Sequence, residues 1–168
     1  NCPGEMQIDL PERHLPRPRR DELFGILKAS DDIVQQMRVA AEAAMKNAYC
    51  SYSKFSVGAA VLAADGEIFA GCNVENASYG LTMCAERNAI FQAVAKGALS
   101  KERKLKAVVV VTPNKKLTPP CGACRQVIYE FCEEADADIF IFGGNNACSF
   151  KLSTLLPEAF GPENLREK

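Results

Sequence analysis

Two short stretches of the chain place thiols and a carboxyl at spacings that suit a metal-dependent hydrolytic centre. Cys121 and Cys124 are three residues apart, which is the usual spacing of a zinc-chelating pair. Cys84 can supply a third thiolate, and Glu86 follows it too closely to be a natural fourth ligand. Three protein ligands and one open coordination position are typical of a catalytic zinc site rather than a structural one. We therefore expect these three cysteines to bind one Zn²⁺ per chain.

These stretches and three further motifs, in the same order along the chain, resemble the zinc-dependent cytidine deaminase family, of the homotetrameric nucleoside-deaminase type. The further motifs span Ala48 to Ala60, Cys72 to Ala77 and Leu155 to Pro162. A Cys-x-x-Cys pair alone is a weak signal, whereas the combination is specific. The resemblance covers residues 30 to 168 and implies zinc-dependent hydrolysis of cytidine and 2′-deoxycytidine to the uridine nucleosides and ammonia, in pyrimidine salvage.

The resemblance implies that Glu86 is the catalytic acid–base, moving protons between water, the cytosine ring and the leaving ammonia. Arg87 lies three residues after Cys84 and shares its helix face, so it is expected to donate hydrogen bonds to the ligand sulfurs. Those bonds would offset the charge of three thiolates on one zinc. On the residues alone, Glu86 could instead be a carboxylate favoured at a helix start, and Arg87 could form a surface ion pair.

The resemblance also implies four substrate contacts. Asn73 and Glu75 would hold the 3′-hydroxyl of the sugar, with the amide donating and the carboxylate accepting. Phe55 and Phe160 would pack around the base, and Phe160 would reach a neighbouring subunit of a homotetramer with shared active sites. On pattern alone, the two aromatic residues could be plain core, and the polar pair could cap a turn.

Composition limits the partners that we expect. With 20 basic and 21 acidic side chains, the net charge of −1 gives no electrostatic attraction towards nucleic acid. No apolar run approaches the length of a membrane span, so we expect no membrane partner. The eight cysteines are expected to be reduced, because a chain of this length without a secretion signal does not need a disulfide scaffold. We expect a cytoplasmic protein, with the nucleus as a further location.

Residues 1 to 29 form a predicted N-terminal extension, and residues 30 to 168 form the predicted deaminase domain. The extension is interrupted by prolines and charged by arginines, so it cannot build its own core and is expected to be flexible or draped on the surface. It contains His14, the single histidine, which lies outside the family motifs and is not expected to be a ligand. The extension departs from the family pattern, and no role is carried over to it.

Patterning of the remaining chain predicts alternating helices and strands. The predicted elements are a helix capped by Ser30 and ending near Ala48, strands Val57 to Ala64 and Ile68 to Asn73, a helix from Cys84 to Lys96 ended by Gly97, a strand from Ala107 to Thr112, a helix from Cys121 to Glu133, a strand from Ile139 to Phe142, a last strand near Phe150 and a short helix after Ser153. Strand–helix–strand–helix–strand indicates parallel crossovers. The predicted fold is a three-layer α/β/α domain with a mixed five-stranded sheet and both ligand groups at helix N-termini.

The end of the predicted sheet bears on the substrate. Only residues 143 to 147 separate the last two strands, and parallel strands need a crossover of a dozen or more residues, so this pair is expected to be antiparallel. By resemblance, nucleoside deaminases end in this way, whereas transfer-RNA and single-strand DNA deaminases insert a helix and make the strand parallel. The short hairpin therefore favours a small free nucleoside.

The sequence disfavours two other classes of function. A zinc-bearing fold that only binds or scaffolds is disfavoured by Glu86 beside an open zinc position. Among other enzymes, a blasticidin-type deaminase would lack the ribose motif from Asn73 to Asn76, and a polynucleotide deaminase is disfavoured by the short hairpin and the charge.

Overall fold

The computed structural model describes residues 31 to 102, 104 to 132 and 137 to 165. The predicted N-terminal extension, its His14 and the helix cap predicted at Ser30 therefore lie outside the described residues. Within them, the elements in chain order are α1 (Asp31–Met45), β1 (Gly58–Ala63), β2 (Ile68–Cys72), α2 (Ala85–Ala95), β3 (Leu105–Thr112), α3 (Gly122–Phe131), β4 (Asp138–Gly143), β5 (Asn146–Lys151) and α4 (Leu152–Leu155), with 3₁₀ turns at Tyr79–Leu81 and Pro162–Leu165.

The five strands of the described residues form one mixed sheet in the order β2-β1-β3-β4-β5. β3 and β4 are parallel, and every other neighbouring pair is antiparallel, including β4 and β5. The prediction of an antiparallel final hairpin is confirmed, with Gly144 at φ +57° in its two-residue turn. Because β1 runs against both of its neighbours, β2, β3 and β4 all point the same way. The carboxyl ends of these three strands therefore share one edge of the sheet, together with the starts of α2 and α3, which follow β2 and β3.

Helices cover both faces of the sheet, which confirms the predicted three layers. Buried side chains of β3 alternate between two core clusters, as expected for a strand covered on both sides. Val109 packs in the cluster that contains Met37 of α1. Val108 packs in the cluster that contains Ile90 of α2 and Ile128 of α3. α2 and α3 contact one another on that second face.

Several predicted boundaries differ from the observed ones by a few residues. α1 ends at Met45 rather than near Ala48, because the chain turns at Asn47 and the amide of Tyr49 already donates to the carbonyl of Asn73. α4 begins at Leu152 rather than after Ser153, because the last strand runs directly into the helix and Leu152 is fully buried there. The helix end predicted at Gly97 is confirmed, with that glycine at φ +77°.

Close packing of α2 on β2 depends on a glycine. A Cβ atom placed on Gly71 would lie 2.6 Å from the amide nitrogen of Ala89 and 2.8 Å from the carbonyl oxygen of Ala85. Both atoms belong to the backbone of α2, so a side chain at this position would push the helix away from the sheet. The glycine thus fixes the distance between the strand that leads to Asn73 and the helix that carries Glu86.

Candidate metal and catalytic site

The three predicted zinc ligands lie at the starts of two helices on the shared edge of the sheet. Cys84 is the N-cap residue of α2, and Cys121 is the N-cap residue of α3. Cys124 lies one turn into α3 and is fully buried. Neither capping cysteine uses its side chain to cap its own helix, so both sulfurs remain available to a ligand. Free amides and the helix dipole at such positions favour thiolate over thiol.

The thiols have the separation that zinc requires. Their three sulfur atoms all lie within 4.8 Å of one another, and the Sγ atoms of Cys84 and Cys121 are 3.9 Å apart. Two sulfurs bound tetrahedrally at about 2.3 Å from one zinc would be about 3.8 Å apart. Soft thiolates of this kind suit Zn²⁺ and leave a fourth position for water or substrate. The three residues therefore fit a zinc ion.

The thiols influence one another's protonation. The pKa of Cys84 is lowered to about 5, first by a hydrogen bond from Cys124 and then by one from Arg87, against the opposing effect of burial. The pKa of Cys124 is raised by the same hydrogen bond with Cys84 and by burial. Cys84 is thus the thiolate of this pair near neutral pH, and Cys124 gives up its proton when a metal binds.

Arg87 lies beside the sulfur cluster, as predicted from its position one turn after Cys84. Its Nη2 atom donates to the Sγ atom of Cys84 at 3.6 Å and to the carbonyl oxygen of Thr82 at 3.2 Å. The second bond fixes the guanidinium against the loop that precedes α2. A fixed positive charge at this point offsets part of the negative charge that three thiolates bring to one site.

Glu86 is buried next to the cluster, with 4% of its surface exposed and its carboxyl within hydrogen-bonding reach of Cys124. Burial is the main reason that the pKa of its carboxyl is raised, and the neighbouring charge of Cys84 acts in the same direction. A carboxyl with a raised pKa holds its proton more firmly than an exposed carboxyl does and can still release it, as a general acid–base group must. Carboxyls with a raised pKa are often found among the acid–base residues of active sites.

Asn73 and Glu75 follow β2 and are both about 9% exposed. The Oδ1 atom of Asn73 accepts from the amide of Val57, and its Nδ2 atom donates to the carbonyl of Phe55. One hydrogen of that Nδ2 group is still available to a substrate. The two hydrogen bonds from the Asn73 side chain to the backbone agree with the turn-capping alternative. They still leave one hydrogen of the side-chain amide free to donate.

The carboxylate of Glu75 is held by the same loop. Its Oε2 atom accepts from the amide of Tyr52 at 2.8 Å and from that of Ser53 at 3.2 Å, and its Oε1 atom accepts from the hydroxyl of Ser53. The Ser53 hydroxyl is the main reason that the pKa of Glu75 is lowered. Glu75 is therefore an ionised acceptor near neutral pH, with lone-pair capacity left on Oε1.

The two predicted aromatic contacts differ in their surroundings. Phe55 is half-buried and lies in the loop that is bonded to Asn73 and Glu75. Phe160 is 61% exposed, and its backbone carbonyl accepts from Nε2 of Gln126 on α3. Tyr79 is 72% exposed and meets the ring of Tyr52 edge to face, with the ring centroids 5.9 Å apart.

Sequence reasoning missed Ser53 and Arg125. Ser53 lies 22 residues before the carboxylate that it contacts, and no periodic pattern connects them. Arg125 directly follows Cys124, a predicted ligand, and donates to the carbonyls of Pro120 and Leu155. For Arg125, its position next to a predicted ligand was a signal in the sequence that could have identified it.

Comparison with known proteins gives one consistent result. The sequence model of the cytidine and deoxycytidylate deaminase zinc-binding region matches residues 31 to 137. A protein of Halalkalibacterium halodurans named cytidine deaminase is 46% identical over 127 residues, which cover 74% of this chain and 91% of that protein. A cytidine deaminase of Sporosarcina psychrophila is 43% identical over 132 residues, covering 79% and 94%.

Solved structures agree with these sequence relatives. The crystal structure of cytidine deaminase from Burkholderia pseudomallei superimposes with a TM-score of 0.69 at 42% identity, covering 75% of this chain and 98% of that one. Cytidine deaminase from Mycobacterium tuberculosis gives a TM-score of 0.64 at 38% identity, covering 76% and 97%. The cysteines that we predicted as ligands all fall within the matched zinc-binding region. The chain therefore belongs to the zinc-dependent cytidine and deoxycytidylate deaminase family.

Proposed function

We propose that this enzyme deaminates cytidine and 2′-deoxycytidine by hydrolysis, giving uridine or 2′-deoxyuridine and ammonia, and so acts in pyrimidine salvage. The observation that carries the proposal is the buried carboxyl of Glu86 beside three clustered thiols. This arrangement combines an acid–base group with a metal position, as hydrolytic deamination requires.

Cys84, Cys121 and Cys124 would hold the zinc, which when bound supplies a Lewis acid that makes hydroxide available near neutral pH. Glu86 would accept the proton of the attacking water at a carboxylate oxygen. It would deliver that proton to the ring nitrogen beside the reacting carbon, then take the remaining proton from the added hydroxyl and pass it to the leaving amino group. Water adds, ammonia leaves, and the carboxylate is restored. The burial of Glu86 keeps bulk water from competing for these protons.

Asn73, Glu75 and Phe55 would hold the nucleoside in place. The free hydrogen on Asn73 and the remaining lone pair on Glu75 can bind one sugar hydroxyl as donor and acceptor. Both cytidine and 2′-deoxycytidine carry the 3′-hydroxyl, so this pair would accept both. Phe55 would pack beside the base, since its backbone is tied to the same network.

A second copy of the chain would complete the pocket. The thiol site is open in a single chain, where Cys121 is exposed and Tyr79, Leu81 and Phe160 are 72%, 69% and 61% exposed. Two cavities of about 520 and 270 Å³ in the described residues lie elsewhere, and neither is lined by the three candidate zinc ligands or by Glu86. We propose a homotetramer in which Phe160 reaches a neighbour's site. Sedimentation should give the tetramer mass, and a fully active monomer would contradict it.

We propose the cytoplasm as the compartment, because of the state of the cysteines. The seven cysteines among the described residues are thiols rather than disulfides, and a reducing compartment preserves thiolate ligands. None of the helices in the described ranges is long and apolar enough to span a membrane.

A substrate panel tests the proposed activity. The purified enzyme should release ammonia from cytidine and 2′-deoxycytidine in equal amounts to the uridine nucleosides formed. Deoxycytidylate, free cytosine and single-stranded DNA in the same panel distinguish the other substrate classes. Turnover of deoxycytidylate or of the polynucleotide in preference to both nucleosides would overturn the assignment.

A further inference from the structure

The side chain of Arg125 joins two parts of the chain that are distant in sequence. Its Nε atom donates to the carbonyl oxygen of Pro120 at 2.7 Å, and its Nη1 atom donates to the carbonyl oxygen of Leu155 at 2.8 Å. Both bonds come from one planar guanidinium, whose donors have a fixed geometry. The positions of the two carbonyls are therefore tied to one another through this side chain.

The first of these carbonyls belongs to the peptide that leads into a zinc ligand. Pro120 is fully buried and directly precedes Cys121. Neither Pro119 nor Pro120 has an amide hydrogen, so this part of the loop can be anchored through its carbonyls but not through its own donors. The backbone amide of Arg125 also donates to the carbonyl of Cys121 at 3.0 Å. Arg125 thus donates to the carbonyl just before Cys121 through its side chain and to the carbonyl of Cys121 itself through its backbone amide.

The second carbonyl begins the C-terminal segment, which we define as residues 155 to 165. Leu155 is the last residue of α4, and α4 packs against α3. The next residue of α3, Gln126, donates to the carbonyl of Phe160 at 2.8 Å. Two adjacent residues of α3, Arg125 and Gln126, therefore hold the C-terminal segment. Of these two side chains, only that of Arg125 also bonds to Pro120, which precedes Cys121.

We propose that Arg125 is a positioning residue through which the C-terminal segment supports Cys121 and so sets how firmly the zinc is held. This inference rests on the assignment of the three thiols as zinc ligands, and it does not depend on which nucleoside is the substrate. Groups that orient metal ligands in this way usually change metal affinity by about 10- to 100-fold when they are removed.

The test measures the rate of zinc release from the holoenzyme to an excess of a chromogenic chelator, without substrate. Arg125→Met removes both bonds and should release zinc at least about tenfold faster than the parent enzyme. Arg125→Lys keeps the charge but cannot span two carbonyls, so its rate should fall between the two. Gln126→Met removes a bond at Phe160, five residues beyond the carbonyl of Leu155 that Arg125 holds. It leaves both bonds of Arg125 in place and should release zinc at the parent rate.

A double-mutant cycle distinguishes this coupling from a general loss of stability. Leu156→Ala loosens the C-terminal segment and should speed zinc release in the parent background. In the Arg125→Met background it should have no further effect, because the link is already broken. If the double variant released zinc at a rate that is the product of the two single effects, the two residues would act independently and the proposal would be wrong. Equal release rates for the parent, Arg125→Met and Arg125→Lys would also overturn it. A protein that binds zinc with this coupling but deaminates no nucleoside would contradict the proposed function alone.

Discussion

The Sγ atom of Cys84 lies 3.9 Å from the Sγ atom of Cys121, although 37 residues separate them and each begins a different helix. A zinc ion at this point would cross-link α2 and α3 on one face of the sheet. The contact between these helices is therefore a structural requirement of the site, and a change that moves either helix should affect both metal binding and catalysis.

The first prediction concerns the metal. The parent protein should contain one zinc per chain, and Cys121→Ala should contain far less, because two thiolates hold the ion poorly. Removing zinc with a chelator should also lower the thermal midpoint, since metal binding to the folded state adds to its stability. Metal analysis and thermal unfolding measure both effects.

Cys148→Ala is the matched control for this change. Cys148 is a half-buried thiol on β5 and is not one of the clustered sulfurs. Its replacement should leave the zinc content at one per chain. Full zinc and full activity in Cys121→Ala would remove that residue from the ligand set.

The second prediction concerns the packing of α2 on β2. Gly71→Ala would place a Cβ atom 2.6 Å from the backbone of α2, so the helix must shift. We expect a loss of about 1–3 kcal/mol in the free energy of unfolding, together with reduced turnover because Glu86 moves with the helix. Gly80→Ala is the control, since its Cβ atom would meet nothing within 4 Å. Equal unfolding free energies for the two variants would argue against the close approach.

Much of the site could be predicted from local sequence. The spacing of Cys121 and Cys124 indicated a metal pair, and Pro119 and Pro120 indicated a helix start that puts both at the same end of α3. The four consecutive valines of β3 are typical of a strand covered on both faces. These features depend on neighbours within one turn or one strand, and such short-range patterns are visible in a single sequence.

Contacts between distant segments could not be predicted in the same way. The hydroxyl of Ser53 reaches Glu75 only because Tyr49 pairs with the chain just after β2 and brings the two loops together. Likewise, Arg125 meets Leu155 only after β4 and β5 have returned the chain to α3. Residue type and spacing carry no record of this closure, which the packing of the whole sheet determines.

The third prediction concerns the sugar. If Asn73 and Glu75 bind the 3′-hydroxyl, 3′-deoxycytidine should be a poor substrate. It leaves one hydrogen of the Asn73 amide and one lone pair of Glu75 without a partner, at a cost of about 1–3 kcal/mol. Free cytosine should be poorer still. Glu75→Ala should remove the preference for the 3′-hydroxyl and keep the zinc. Comparison of kcat/KM values for the three substrates tests the assignment, and equal values for cytosine and cytidine would contradict it.

The fourth prediction concerns the pH dependence of stability. The pKa of Glu75 is lowered from its ordinary value of 4.5, chiefly by the hydroxyl of Ser53. The unfolded chain therefore binds the proton more readily than the folded one. The stabilisation from Glu75 is complete above pH 4.5 and is lost as the pH falls through the lower, folded-state pKa.

Urea unfolding at a series of pH values measures this effect. Relative to the parent protein, Glu75→Gln should be less stable near neutral pH, and the difference should shrink below pH 4.5. Ser53→Ala should weaken the same pH dependence, because it removes the main cause of the shift. A difference between the parent and Glu75→Gln that grows on acidification would contradict the sign of this prediction.

The replacement of one side chain tests whether Glu86 carries the protons in catalysis. Glu86→Gln keeps the size and polarity of the side chain but cannot carry the proton, so it should retain one zinc per chain and lose at least about 10²-fold in kcat for cytidine. The measurement is the turnover of cytidine by zinc-loaded Glu86→Gln beside the zinc-loaded parent. A near-parent rate in the variant would contradict the proposed mechanism.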